Sequence, residues 1–125
     1  MANPNIVNVT TITGNTTYLT PGNTTANTLL SNAASSGLVY KINQIVCANV
    51  NGSSAVNATV AINSLAAGAG TNYPIISTIS VPASASVIAV DKTTAVYLME
   101  NSSIVVTSGT ASGITYTISY ESIAS

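Results

Sequence analysis

Three carboxylates, two amines and one thiol make up the acid, base and nucleophile chemistry of this sequence: Asp91, Glu100 and Glu121; Lys41 and Lys92; Cys47. Six tyrosines complete the set, and there is no histidine. Glycoside hydrolysis would need two carboxyls roughly 5–10 Å apart across a sugar-sized cleft. Asp91 and Glu100 flank a short pair of predicted strands, with Lys92 beside Asp91, and nothing around them builds a cleft. They read as turn charges that keep the surface solvated, and Glu121 reads the same way. A thiol nucleophile needs a base to make its thiolate. Cys47 has no histidine to serve it and reads as a small buried hydrophobe on a strand. Zinc needs several Cys or His ligands, and calcium a run of clustered oxygen ligands. Neither pattern occurs, so neither a metal nor a cofactor is expected. Gly68-Ala69-Gly70 lacks a following lysine or helix and makes no phosphate loop. The chain is not expected to be an enzyme.

The composition points elsewhere. Only 4% of the 125 residues are charged, against about 25% in an average soluble domain. Ser, Thr and Asn take the space, with 17, 18 and 14 copies. Phosphate neutralisation and polybasic membrane attraction both need several Lys or Arg. Two lysines and no arginine exclude a nucleic-acid or membrane partner of that kind. A net charge of −1 gives little colloidal repulsion, which favours association. Short hydroxyl and amide side chains lose little rotamer entropy when an interface fixes them. Met1-Ala2-Asn3-Pro4 opens no basic and apolar leader, and no apolar run reaches 18 residues, so neither a signal peptide nor a membrane helix is expected. Without a secretory signal, the Asn-x-Ser/Thr triplets that start at Asn8, Asn15, Asn23, Asn51, Asn57 and Asn101 carry no glycosylation reading.

At 12.5 kDa the chain suits one domain, with about 6,200 Å² of folded surface from size scaling. The dominant pattern is period two, with β-branched residues between Gly, Asn, Ser and Pro clusters about ten residues apart, as in a sandwich or barrel. Val56, Ala58, Val60 and Ile62 alternate with Asn57, Thr59, Ala61 and Asn63. Ile114, Tyr116, Ile118 and Tyr120 alternate with Thr115, Thr117, Ser119 and Glu121. A long strand is predicted from Leu38 to Val50. Asn51-Gly52-Ser53 then reads as a tight hairpin turn whose flanking segments pair. Leu65 to Asn72 reads as a flexible loop without bulky side chains. Further strands are predicted from Tyr73 to Val81, Ser86 to Asp91, Ala95 to Glu100 and Ile104 to Thr107. Tyr40, Tyr97, Tyr116 and Tyr120 fall on strands and are expected in the core with their hydroxyls at the rim. Tyr18 and Tyr73 are expected at the surface. The fold class is all-β: a single antiparallel β-sandwich, jelly-roll or immunoglobulin-like, of eight or nine strands.

The first 36 residues differ from the rest. Asn3 to Thr13 alternates imperfectly, Thr20-Pro21-Gly22-Asn23 makes a turn, and almost every residue from Thr10 to Thr28 is small or polar. Two readings fit: an edge strand with an arm that orders against a neighbouring subunit, or an ordinary edge hairpin. Residues 1–36 are assigned as an extended contact segment and 37–125 as the sandwich. The interface expected from this division takes in Asn3, Ile6, Val7, Val9, Tyr18 and Leu19, with Tyr73 from the sandwich.

Several segments carry a resemblance. They are Gly37-Leu38-Val39-Tyr40-Lys41-Ile42-Asn43-Gln44-Ile45, Ala48-Asn49-Val50-Asn51-Gly52-Ser53, Thr78-Ile79-Ser80-Val81-Pro82-Ala83 and Val90-Asp91-Lys92. Val96-Tyr97-Leu98-Met99-Glu100 and Ile118-Ser119-Tyr120-Glu121-Ser122-Ile123 complete the set. In this order, over about residues 37 to 123, the chain resembles small virion structural proteins of tailed bacteriophages, especially those of cyanobacteria. Asn101 and Ser122 stand where that family carries acidic residues, so this chain is poorer in charge than its relatives. The resemblance implies a virion part with a β-sandwich fold. The expectation built on it is a capsid decoration (cement) protein on the outer capsid surface, a homotrimer at local threefold positions, with the major capsid protein as partner. The alternative is a tail, neck or fibre component that binds a host-surface glycan through loop residues such as Asn72, Tyr73 and the Gly109–Gly113 turn.

Overall fold

The computed structural model describes residues 4–124. Nine strands form two antiparallel sheets: β1 Thr11–Leu19, β2 Asn27–Asn32, β3 Leu38–Asn49, β4 Val56–Asn63, β5 Asn72–Val81, β6 Ser86–Val90, β7 Val96–Leu98, β8 Ser102–Ser108 and β9 Ile114–Ala124. One sheet runs β1-β9-β3-β6, with β7 also paired to β3, and the other runs β2-β8-β4-β5. Both β6 and β7 lie along β3, opposite Ile45–Ala48 and Tyr40–Ile42 respectively. They act as one edge strand broken by the short 3-10 turn Lys92–Thr94.

The pairing is nested. The strand β1 pairs with β9, β2 with β8, β3 with β6 and β7, and β4 with β5. A long hairpin ribbon with its tip at β4–β5 has these partners, and wrapping it adds the β3–β9 and β4–β8 pairs. That connectivity is a jelly roll, which settles the choice against the immunoglobulin order. The accessible surface of 6148 Å² is close to the value scaling gives for a folded monomer of this mass.

Between the sheets, Ile42, Ile45 and Cys47 of β3 and Ile114, Tyr116 and Ile118 of β9 face Val56, Ala58 and Val60 of β4 and Ile104 and Val106 of β8. All eleven are at most 2% exposed. Burying one such aliphatic side chain contributes about 1.5–3 kcal/mol. A register shift between Ile42 and Gln44 leaves Asn43 as an extra residue on β3. That bulge is why two inward isoleucines stand three apart in an otherwise alternating strand. Tyr116 is fully buried and donates its hydroxyl to the Thr107 carbonyl at 2.7 Å. Tyr40 and Tyr120 pack on the core as a pair, with ring centroids 5.0 Å apart.

Cys47 sits in this core, and burial pushes its thiol up to about 12. The folded chain should therefore leave Cys47 unmodified by an aromatic disulfide reagent at pH 8, with one thiol reacting after unfolding in guanidinium. Prompt reaction in native buffer would show that the β3–β9 region opens far more often than its packing allows.

Two expected connections are different in the structure. Asn51-Gly52-Ser53 does not close a hairpin, because β3 and β4 belong to opposite sheets. The Asn51 carboxamide oxygen accepts hydrogen bonds from the backbone N–H groups of Ser53 and Ser54. This Asx turn carries the chain across the sandwich. The stretch after Asn63 is also tied down, through hydrogen bonds to the Asn63 side chain. In addition, β1 and β2 edge different sheets and do not form a hairpin with each other.

Candidate interaction surface

The reactive side chains do not converge. Asp91 is exposed and caps the 3-10 turn, accepting from Thr93 Oγ1 at 2.6 Å and Thr93 N at 2.9 Å. Those bonds hold its carboxyl below the usual carboxylate range. Glu121 accepts from Asn43 Nδ2 at 3.0 Å. Both oxygens of Glu100 are buried without a hydrogen-bond partner among the described residues. The expectation of a solvated turn charge at Glu100 is thus corrected: the turn after β7 folds its carboxylate out of water. Among the described residues no group of three or more His, Cys, Asp or Glu could hold a metal ion.

What the structure does assemble is an apolar surface. The register across the β1-β9-β3-β7 sheet sets residues side by side on its outer face. One row is Ile12, Ile123 and Val39, which Met99 extends one residue past β7. The next row is Gly14, Glu121, Lys41 and Tyr97. Val39 and Ile123 are 3% and 5% exposed although they point away from the main core. Residues 4–8 account for part of this cover. A local turn, in which Asn5 accepts from the N–H groups of Val7 and Asn8, sets Pro4 and Ile6 around a depression of about 320 Å³ with Val39, Tyr97 and Met99. Ile6, Ile12, Tyr97 and Met99 remain 45–53% exposed, and Val7 is 90% exposed. Ile12 stands three strands from Met99, about 14 Å away, whereas Ile6, Tyr97 and Met99 line one depression, and exposed apolar surface gathered in this way marks a place where something else binds.

The structure separates the residues that the sequence singled out. Asn3 lies outside the described residues. Ile6 lines the depression, and Val7 projects beside it. Val9 is half-buried. Tyr18, 74% exposed, lies on the same outer face, six residues along β1 from Ile12. Leu19 is corrected: it turns inward and packs on the core. Tyr73, 61% exposed, is on β5 in the other sheet. Tyr97 is corrected in the opposite sense, since it stands on the outer face and not in the core. The sequence held a signal for it. Val96-Tyr97-Leu98-Met99 is apolar at four consecutive positions, which means that both faces of the strand are to be covered.

A second depression, about 340 Å³, lies on the same sheet and is lined by the polar residues Asn43, Gln44, Asp91, Lys92 and Ser119, largely through their aliphatic stems. The Asn43 oxygen is buried without a hydrogen-bond partner among the described residues. Among the described residues no helix is long and apolar enough to cross a membrane. Comparison of the chain with protein families, curated proteins and solved structures finds no match.

Proposed function

We propose that this chain is a virion structural protein of a tailed bacteriophage, a capsid decoration protein that stabilises the major capsid shell without catalysis. One observation carries this: the exposed apolar patch built from Ile6, Tyr97 and Met99 on the outer face of a jelly-roll sheet. The fold is one that viral shells use repeatedly, although it also serves lectins, so fold alone decides nothing. The nearly uncharged surface adds to the reading. Clamping neighbouring capsomers requires wide contact with no buried charge to compensate, and Ser, Thr and Asn supply it.

A second reading, a tail, neck or fibre module for a host glycan, draws on the polar depression. Two amides, a carboxylate, an ammonium and a hydroxyl form a hydrogen-bonding set that a sugar accepts, although no aromatic ring lines it to stack against. Stoichiometry separates the readings. Quantitative mass spectrometry of purified particles should find this chain at a ratio to the major capsid protein near one, or near a simple fraction of one. A ratio of a few per cent or less moves it to the tail, and its absence removes the virion reading.

A further inference from the structure

Every sandwich has four edges, and each exposes unpaired backbone groups that invite another strand. Three edges of this one are blunted. The β5 edge carries Pro74 and two register shifts, with Thr78 at φ 52°. The β6–β7 edge is interrupted by the 3-10 turn bearing Asp91 and Lys92. The β2 edge is six residues long and shifted between Thr28 and Leu30, and Ser31 Oγ ties it to the Ala66 carbonyl of the overlying loop.

The β1 edge has none of these devices. Its nine residues, Thr-Ile-Thr-Gly-Asn-Thr-Thr-Tyr-Leu, contain no charge and no proline. They pair with β9 over their whole length without a shift. We infer that β1 is the self-association edge: two copies of this chain pair β1 to β1, antiparallel about a two-fold axis, into one continuous sheet.

The sequence of β1 selects the register. Full overlap of nine residues puts Asn15 opposite itself, Gly14 opposite Thr16, Thr13 opposite Thr17 and Ile12 opposite Tyr18. Opposed residues then have the same parity, so the backbone groups that face out on one copy meet those that face out on the other. On the outer face, the two exposed large side chains of β1, Ile12 and Tyr18, cover each other twice per dimer. Aromatic–β-branched and Thr–Thr pairs are among the favourable cross-strand contacts. No like charges oppose. A heterologous contact would need a second open edge, and the other three are blunted, which leaves the isologous pair. Antiparallel edge pairing also keeps both outer faces on the same side. The dimer therefore presents two Tyr97–Met99 patches to one partner surface, where bivalence multiplies affinity. This is a two-fold contact in place of the threefold one expected above, and it concerns the chain alone, whatever its place in a particle.

The test is sedimentation of the full chain over a wide concentration range, together with cysteine crosslinking. The expected mass rises from 12.5 kDa to twice that value. Thr16→Lys with Tyr18→Lys, both on the solvent side of β1, should hold it at monomer with unchanged circular dichroism. Asn15→Cys should link to itself under mild oxidation, because opposed Cα atoms lie about 4.5–5.5 Å apart, within disulfide reach. Thr13→Cys should not, since its two copies are four positions out of register, about 13 Å. A monomer at every concentration overturns the inference. So does a three-chain species, a dimer that survives the lysine pair, or equal linking by both cysteine variants.

Discussion

Replacing Asn63 by Ala should lower the unfolding free energy by about 3–4 kcal/mol, read from urea denaturation of the isolated chain. Asn63 is 0% exposed and ends β4. Its oxygen accepts from Leu65 N at 3.0 Å and Gly70 N at 2.9 Å. Its Nδ2 reaches the carbonyls of Gly68 and Gly70 and Oδ1 of Asn72. Truncation removes all five contacts and leaves partly buried backbone groups with no replacement, and each such orphan costs about 1–3 kcal/mol. The loss is smaller than that sum because the loop can relax toward water. Asn63→Asp should be about as harmful, since it keeps the acceptor but faces three oxygens with a carboxylate. If Asn63→Ala shifts stability by less than 1 kcal/mol, the loop is held by its other contacts and the side chain is incidental.

The same device recurs at two other strand ends. Asn32 closes β2, is 0% exposed, and donates to the carbonyls of Leu38 and Leu98 in the opposite sheet while accepting from Ser36 Oγ. Asn49 closes β3, is 4% exposed, and donates to the carbonyls of Ser54 and Val81. Each turn out of a sheet leaves backbone groups that no ladder satisfies, and a short amide at the last strand position answers them. This gives a structural reason for part of the asparagine content, which from composition alone reads as polar surface.

Alternation made the strands legible. Alternation places β4 and the first part of β9, which runs on past Glu121 to Ala124, whereas β5 is placed by its β-branched residues and Pro82, and the sandwich follows from the spacing. Pairing across the sandwich was not legible at Asn51-Gly52, because the dipeptide that favours a tight hairpin also suits an Asx turn, and only the partner strands decide between them. Asn63 shows the complementary failure. Alternation correctly turns Asn63 and Ala61 away from the main core. The loop that then folds over Ser103 and Val105 buries them, and a strand pattern carries no record of such a cover. The surface was legible in part. Ile6 and Val7 stand out as apolar residues in a polar segment, whereas Val39, Tyr97 and Met99 become neighbours only through the register of β3 and β7.

That register leads to the other large effect. Ile6→Asp together with Met99→Asp should weaken binding to purified particles on the order of a thousandfold, while leaving the midpoint of thermal unfolding within a few degrees of wild type. Both side chains are about half exposed, so a carboxylate at either position finds water in the free protein and costs the fold little. Against a partner surface the same carboxylates would be desolvated, and losing a central apolar anchor costs about 2 kcal/mol or more per residue, a factor of about 30 each. Bivalence would deepen the loss, because each dimer carries the change twice. The control is Ile88→Asp, 55% exposed on the same sheet but at the far end of β3, opposite Val46 and not Val39. It introduces one carboxylate at similar exposure, to be compared with Met99→Asp alone, and should leave occupancy unchanged. Equal loss from both variants would mean that added charge alone prevents binding. Loss from neither would mean that the Tyr97–Met99 patch faces no partner in the particle. Selective loss from the first ties the contact to the end of the sheet where the N-terminal segment leaves the cover incomplete.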